Sequence, residues 1–420
     1  MSGSSTSSLN ALRFEQLKAA VDGSAAAFRS RRRLQPGGGE GDKVFPPTYA
    51  GAVYAVEQRR APGREQPVTC VLLDSVQSQA NRMEQALQDA LDAGEITLPV
   101  ISVDFSDYGP TGDLERDAAE GRLPDPIGKL TSLQVPHRLA DAILRDSEYD
   151  GTPFRKSPAF RSLNQAGPLN ATAIYELCPT ALVFGMWDST GPKGGLGAKF
   201  ERAMVSEVVG LGASLSELHK NRGVRRDPLE ASKTVAILRN DDGSWRVVDD
   251  PKKKGVLRPS EVNHGSVPFE NDNAGVTISY AEQITTLSLI ALRRLRFPLP
   301  GGAGGQAEAN AEGRAVLAAL GLCAATLAFE SGMGLRSRCL LWPEEPMYWE
   351  LLDKPGEQPK LFSLSGDGAK KLLADAVSAA ENAGLKWRTE PLELKPSKEL
   401  LKLVRLSQQQ LVKEGSAEES

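Results

Sequence analysis

Apolar and polar positions alternate along this chain in two rhythms, and each rhythm announces a kind of element. Val68 to Leu73 is a short apolar run that reads as a buried strand, followed by Asp74 or Ser75 as a helix cap. In the helix after it Val76, Met83, Leu87 and Leu91 form an apolar stripe that ends at Gly94. Gln77, Ser78, Asn81 and Arg82 fall off that stripe, near the helix N-terminus. Upstream, 9–29 predicts a short helix and 44–57 a strand or hairpin. Downstream, 98–103 predicts a strand, 107–129 a long loop, and Pro136 to Arg145 a helix. In that helix Leu139, Ile143 and Leu144 face inward, and His137, Arg138, Asp141 and Arg145 share the outer side. An irregular stretch, 147–170, carries Arg155, Lys156 and Arg161.

The second half of the chain continues the mixture. Thr180 to Met186 is strand-like, and Phe200, Met204, Val205, Val208 and Val209 repeat at helical spacing. Two short strands, 234–238 and 245–248, flank the turn Asn240-Asp-Asp-Gly243 and predict a hairpin. The run 276–295 reads as a long apolar helix ending in Arg293 and Arg294. Pro298 to Gly305 reads as a linker. Beyond it follow a helix (306–329), a strand (336–342), a helix (367–383), a strand at Trp387 and a charged, frayed tail. Helices and strands interleave without a regular βαβ beat, so the expected class is α+β.

Between 180–186 and 200–209 lies a loop with Gly191, Gly194, Gly195 and Gly197. Glycine lets backbone N–H groups approach an anion closely, and Lys193, Lys199 and Arg202 are placed to neutralise one. Lys199 follows Ala198 and precedes Phe200, so this is not a nucleotide P-loop. Phe200 stands where a dinucleotide fingerprint needs glycine. Two readings stay open here: a phosphate cradle with Trp187 beside it, or a tight turn with no ligand.

Composition narrows the chemistry. The chain has 420 residues, enough for two domains or one large domain with insertions, and its net charge is −4. Compact basic groups stand out against that charge: Arg31 to Arg33, Lys252 to Lys254, and Arg293, Arg294 and Arg296. The four cysteines are far apart with no CxxC pair, and there are three histidines, so no metal or other cofactor is expected. There is no run of about 18 apolar residues, and the start Met-Ser-Gly-Ser-Ser-Thr lacks the order of a signal peptide, so a cytoplasmic protein is expected. Catalysis is hard to locate. His137 and Asp141 are spaced as base and orienter, or as part of a surface helix network, and no Gly-x-Ser-x-Gly elbow occurs. Binding is easier to argue: a donor-rich helix start, a glycine loop and basic clusters suit a polyanion such as single-stranded RNA.

Four segments together resemble one family. They are Leu72-Leu-Asp-Ser-Val-Gln-Ser-Gln-Ala-Asn-Arg-Met-Glu84, His137-Arg-Leu-Ala-Asp-Ala-Ile-Leu-Arg-Asp146, Phe184-Gly-Met-Trp-Asp-Ser-Thr-Gly191 with Gly194-Gly-Leu-Gly-Ala-Lys-Phe200, and Leu292-Arg-Arg-Leu-Arg-Phe-Pro298. The family is the Cas-seven-type backbone subunit (RAMP superfamily) of the type I-U, also called I-G, CRISPR Cascade surveillance complex. The resemblance implies a modified RRM-like, ferredoxin-type palm with large finger and thumb insertions and further C-terminal α/β elements. On this chain it implies a flexible segment at 1–43, a palm at 44–298 with a finger at about 104–170 and a thumb at about 250–270, and C-terminal elements at 299–420. It implies a non-catalytic subunit that binds CRISPR guide RNA, stacks with copies of itself head to tail, meets target DNA through the guide and joins other Cascade subunits.

Carried residue by residue, the resemblance assigns Gln77, Ser78, Asn81 and Arg82 to the guide backbone. It assigns Trp187, Ser189, Lys193, Gly194, Gly195 and Lys199 to a glycine-rich RNA cradle. Arg138, Lys253, Asn263, His264, Arg293 and Arg294 follow as RNA or subunit contacts. The competing readings are a phosphate-handling enzyme using the Gly191–Gly197 loop with Asp188 and His137, and a scaffold without nucleic acid.

Overall fold

A computed structural model of the protein describes residues 9–50, 53–60, 65–189, 198–214, 234–240, 244–250, 254–262, 264, 275–299 and 305–418. The organising feature is a ten-stranded mixed sheet. Its early elements are β1 (Asn10–Ala11), α1 (Phe14–Asp22), β2 (Ala27–Pro36), β3 (Val56–Arg59), β4 (Val68–Asp74) and α2 (Val76–Asp92). Then come α3 (Thr180–Phe184), the paired strands β5 (Met186–Trp187) and β6 (Lys199–Phe200), and the long strands β7 (Met204–Leu211) and β8 (Tyr280–Ser288). The C-terminal part adds α4 (Gln306–Glu330), β9 (Met333–Arg336), β10 (Cys339–Pro343), β11 (Trp349–Leu352), β12 (Lys360–Ser363), α5 (Gly366–Asn382) and α6 (Lys398–Glu418).

In the large sheet the spatial order is β1-β12-β11-β2-β8-β7-β4-β3, with the β9–β10 hairpin joined to the far end of β2. Strands β8 and β11 both run antiparallel to β2, which lies between them, and the connection from one to the other runs through α4 and the β9–β10 hairpin. That is a split β-α-β unit. Helix α4 is the core of the molecule: Val316, Leu317, Leu320, Leu322 and Cys323 are fully buried. Gly313 within it is required by close approach, because a Cβ there would stand 2.7 Å from the Phe297 ring and 2.9 Å from Leu385. It is the one described helix long and apolar enough to cross a membrane, yet 78% of its apolar window is buried inside the protein, which makes it a core helix.

A second sheet has five strands in the order 152–153, 147–149, 392–396, 101–104, 129–131. Its strand Leu392–Pro396 lies parallel to Ile101–Asp104, so the C-terminal region pairs with the middle of the chain. Likewise the segment 1–43, expected to be flexible, supplies α1 and the central strand β2, and β9 to β12 extend the same sheet from beyond residue 298. The α+β class stands.

Several expected elements have the opposite type. Thr180–Phe184 is a helix, and it lacks a visible period because every one of its residues is buried. The helix expected across 200–209 is strand β7, whose run Val208 to Leu211 is buried on both faces and so loses the alternation of a half-exposed strand. The long helix expected over 276–295 is mostly β8 followed by a short helix, Leu289–Arg293. Its buried positions, Ala281, Gln283, Thr285 and Leu287, do alternate, but two are polar and hide the pattern. Pro136 to Arg145 is not one α-helix: Arg138, with φ 51°, opens only a single 3-10 turn, Arg138–Ala140, and Asp141 then caps the short helix Ala142–Arg145. A helix at Leu114–Glu120 interrupts the expected 107–129 loop, the strand expected at Trp387 comes instead at Leu392–Pro396, and the C-terminal tail is helix α6. The hairpin expected around Asn240 pairs Ala236–Arg239 with Trp245–Val248.

Candidate nucleic-acid interface

The start of α2 is built around a buried carboxylate. Ser75 caps the helix by accepting from the Ser78 backbone N–H. Asp74, 1% exposed at the end of β4, then accepts from Ser78 Oγ at 2.8 Å, Gln79 Nε2 at 2.6 Å and Arg82 Nε at 2.9 Å. Arg336 adds a fourth donor at 3.3 Å from the β9 hairpin, and Arg82 also reaches the Leu335 carbonyl. The four donor side chains that were expected to face RNA therefore divide. Ser78 and Arg82 are committed to Asp74, while Gln77 and Asn81 are exposed on the outer side of the first turns.

Arg138 overturns its expected place on an outer helix face. It is 8% exposed, and its guanidinium grips both oxygens of Glu84 on α2 at 2.5 and 2.6 Å. A further N–H donates to the Gly185 carbonyl at 3.1 Å, and the cation lies 5.5 Å from the centre of the Phe184 ring. Arg138 is thus a fastening inside the protein. Burial pushes the Glu84 carboxyl up to about 6, and the charge and hydrogen bonds of Arg138 only partly offset this.

Gly185, with φ 85°, turns the chain out of α3 into a small ribbon in which Met186 pairs with Phe200 and Trp187 with Lys199. Trp187 is 54% exposed, and the Lys199 ammonium sits 5.4 Å from its ring centre, a cation–π arrangement. Asp188 follows, held by Arg155 at 2.8 Å, with its backbone N–H on the Ala198 carbonyl. Ser189 is exposed at the end of the ribbon. Lys193, Gly194 and Gly195 lie outside the described residues, as do Lys253 and Asn263. What the structure brings together is the foot of the glycine-rich stretch: an aromatic face, a cation over it, and a neighbouring cleft. That cleft, about 300 Å³, has an apolar floor including Leu182, Phe200 and Leu295, and Lys199, Glu201 and Arg294 at its rim.

The remaining expected contacts are dispersed. Arg294 is exposed and paired with Glu201 at 2.5 Å. Arg293 turns inward and donates to the Val21 and Ala25 carbonyls, so its role is to join the Leu289–Arg293 helix to α1. His264 packs edge-on against Trp245, with ring centres 5.5 Å apart. The Arg31 to Arg33 group is not one cationic patch. Strand alternation sends Arg31 to Glu282 and Arg33 to Glu344 on one face, while Arg32 is buried against the Phe329 ring.

The geometry a catalytic reading needs is not formed by His137, Asp141 and Asp188. Asp141 spends its oxygens on the backbone N–H groups of His137 and Ile143, and Asp188 is taken by Arg155. Among the described residues no group of three or more His, Cys, Asp or Glu is disposed to hold a metal ion. Sequence reading missed Asp74 as a hub and missed Glu84 and Arg336 altogether. Asp74 had a signal, its place between strand and cap, whereas Arg336 reaches it from 262 residues away.

Residues 28–215 match the family model described as CRISPR-associated protein GSU0053. The matched interval runs from β2 to just past β7 and includes α2, Arg138 and the ribbon. No curated protein matches the chain.

Proposed function

From the match of residues 28–215 to the family of CRISPR-associated protein GSU0053, we propose that this chain is the guide-RNA-binding backbone subunit of an antiviral, DNA-targeting surveillance complex. In this reading several copies associate head to tail along one CRISPR RNA, and other Cascade subunits close the assembly. The protein reads backbone and shape, and target DNA is recognised by pairing with the guide. The observation that carries the reading is the exposed Trp187 with Lys199 above it, at the foot of a segment with four glycines and a further lysine. An aromatic face beside a cation and closely approachable backbone suits one unstacked nucleotide and its phosphates. Gln77 and Asn81 on α2, Ser189, and Lys193, Gly194 and Gly195 complete the proposed contact.

The split β-α-β unit of β8, α4 and β11 supports an RRM-like palm that takes α4 and β11 from beyond residue 298, with 104–170 as finger and about 250–270 as thumb. A net charge of −4 suits a subunit that covers only a few phosphates and gains avidity from its neighbours. The subunit carries out no chemistry of its own and works in the cytoplasm, where its nucleic acids are. Co-expression with a CRISPR RNA of its own system, purification at moderate salt and RNA sequencing test this. A large particle holding one guide-length RNA is expected, with an affinity that falls steeply as salt rises. Nucleic-acid-free protein from co-expression with all neighbouring subunits would refute the reading.

A further inference from the structure

Trp187 lies between two residues that are held from the body of the protein. On one side the Gly185 carbonyl accepts from Arg138, and on the other the Asp188 carboxylate accepts from Arg155. Of these fastenings Arg138 is the costly one. Its φ of 51° puts a non-glycine residue in the left-handed region, and its cation is buried together with the Glu84 carboxylate. Strain of that kind persists only where the surroundings dictate it. A buried ion pair is seldom more stabilising than a well-packed apolar pair of similar volume. Stability alone is therefore a poor reason for this arrangement. What an apolar pair would not supply is direction: the planar guanidinium ties α2 through two parallel bonds, and a further N–H reaches the carbonyl from which the ribbon departs.

We infer that Arg138, oriented by Glu84, is a positioning residue that sets the angle at which β5 leaves α3, and so places Trp187 and Lys199 for the nucleotide they receive. The inference rests on the RNA-binding reading for its purpose and on geometry for its mechanism, and the two can be tested apart. Arg138→Lys keeps a cation beside Glu84 but lacks the fork that spans Glu84 and Gly185 together. Arg138→Met removes all three hydrogen bonds, and Glu84→Gln leaves the arginine without its charged partner.

The test uses the full chain, with two readouts. One is the emission and acrylamide quenching of Trp187, obtained as the difference between each protein and its Trp187→Phe counterpart. The other is affinity for the guide-length CRISPR RNA, measured beside the thermal midpoint. The expected result is a changed Trp187 signal in all three variants. In Arg138→Lys, RNA affinity should weaken about tenfold while most of the thermal stability returns. A Trp187 signal identical to wild type in any folded variant at Arg138 would overturn the inference, whether or not RNA binds. So would an affinity that simply follows the thermal midpoint and is restored with it by lysine. If Arg138→Met does not fold, Arg138→Lys and Glu84→Gln carry the same comparison. A shifted Trp187 signal in a protein whose wild type binds no RNA would uphold the positioning and sink the RNA reading.

Discussion

Two buried charges in this protein have opposite circumstances, and their substitution should have opposite consequences. Asp74 is 1% exposed and receives donors from Ser78, Gln79, Arg82 and Arg336. Removing it takes the acceptor from Ser78 Oγ and Gln79 Nε2 and the counter-charge from Arg82 and Arg336, which keep only backbone carbonyls, so Asp74→Ala should cost about 3–5 kcal/mol in urea unfolding. Arg32, 6% exposed, meets no carboxylate among the described residues: it touches Ser30, the Met347 sulfur and the Phe329 ring, and one guanidinium nitrogen finds no partner among them. Burial pushes its pKa down to about 9, so it is still charged at neutral pH. Arg32→Met should therefore be neutral or stabilising in the same assay, since it withdraws a buried cation and keeps the aliphatic packing. A loss of several kcal/mol from Arg32→Met would mean that the aromatic contact with Phe329 outweighs the burial of the charge.

At the scale of elements, the junction between α3 and the β5–β6 ribbon is where backbone and charge meet. Gly185→Ala forces a Cβ at φ 85° to within 2.8 Å of Arg202 Cγ and 3.2 Å of the Phe200 carbonyl. A cost of about 1–3 kcal/mol is expected, with weaker RNA binding, because the ribbon must shift to admit the methyl group. The Glu84 that secures this junction has its pKa raised from 4.5 to about 6 by burial. A raised folded-state carboxyl binds its proton more tightly in the native protein. Its contribution to stability is complete below 4.5 and is lost as pH rises through about 6. Relative to Glu84→Gln, wild type should lose about 2 kcal/mol of stability between pH 4.5 and 7. Parallel pH profiles for the two proteins would contradict that environment for Glu84.

Over the whole molecule, the four cysteines report on how completely the core is closed. Cys70, Cys178, Cys323 and Cys339 are all buried, unpaired thiols, and burial pushes each one up, Cys323 to about 12. The native protein should react slowly with an aromatic disulfide reagent, and unfolding in guanidinium should release four thiols together. Early release of one thiol would locate a region that opens before the rest.

Much of this architecture was legible one element at a time. The capped helix after Val68–Leu73, the helix around 367–383 and the hairpin around Asn240 depend on caps, turns and periods that lie within a few residues of each other. The interval that matches the family model, 28–215, includes the ribbon and α2. Strand β8 was not readable as a strand, because its buried Gln283 and Thr285 are satisfied by Gln79 and Ser206 from other elements. Nor was the fate of each arginine. Arg138 and Arg31 look alike in sequence, yet one is buried against a glutamate 54 positions earlier and the other is a partly exposed strand residue paired across to Glu282. Local rules decide what a segment becomes, because they act through neighbouring backbone and side chains. Which face is buried, and which charge is spent on holding the protein together, depends on partners that only the folded chain brings within reach.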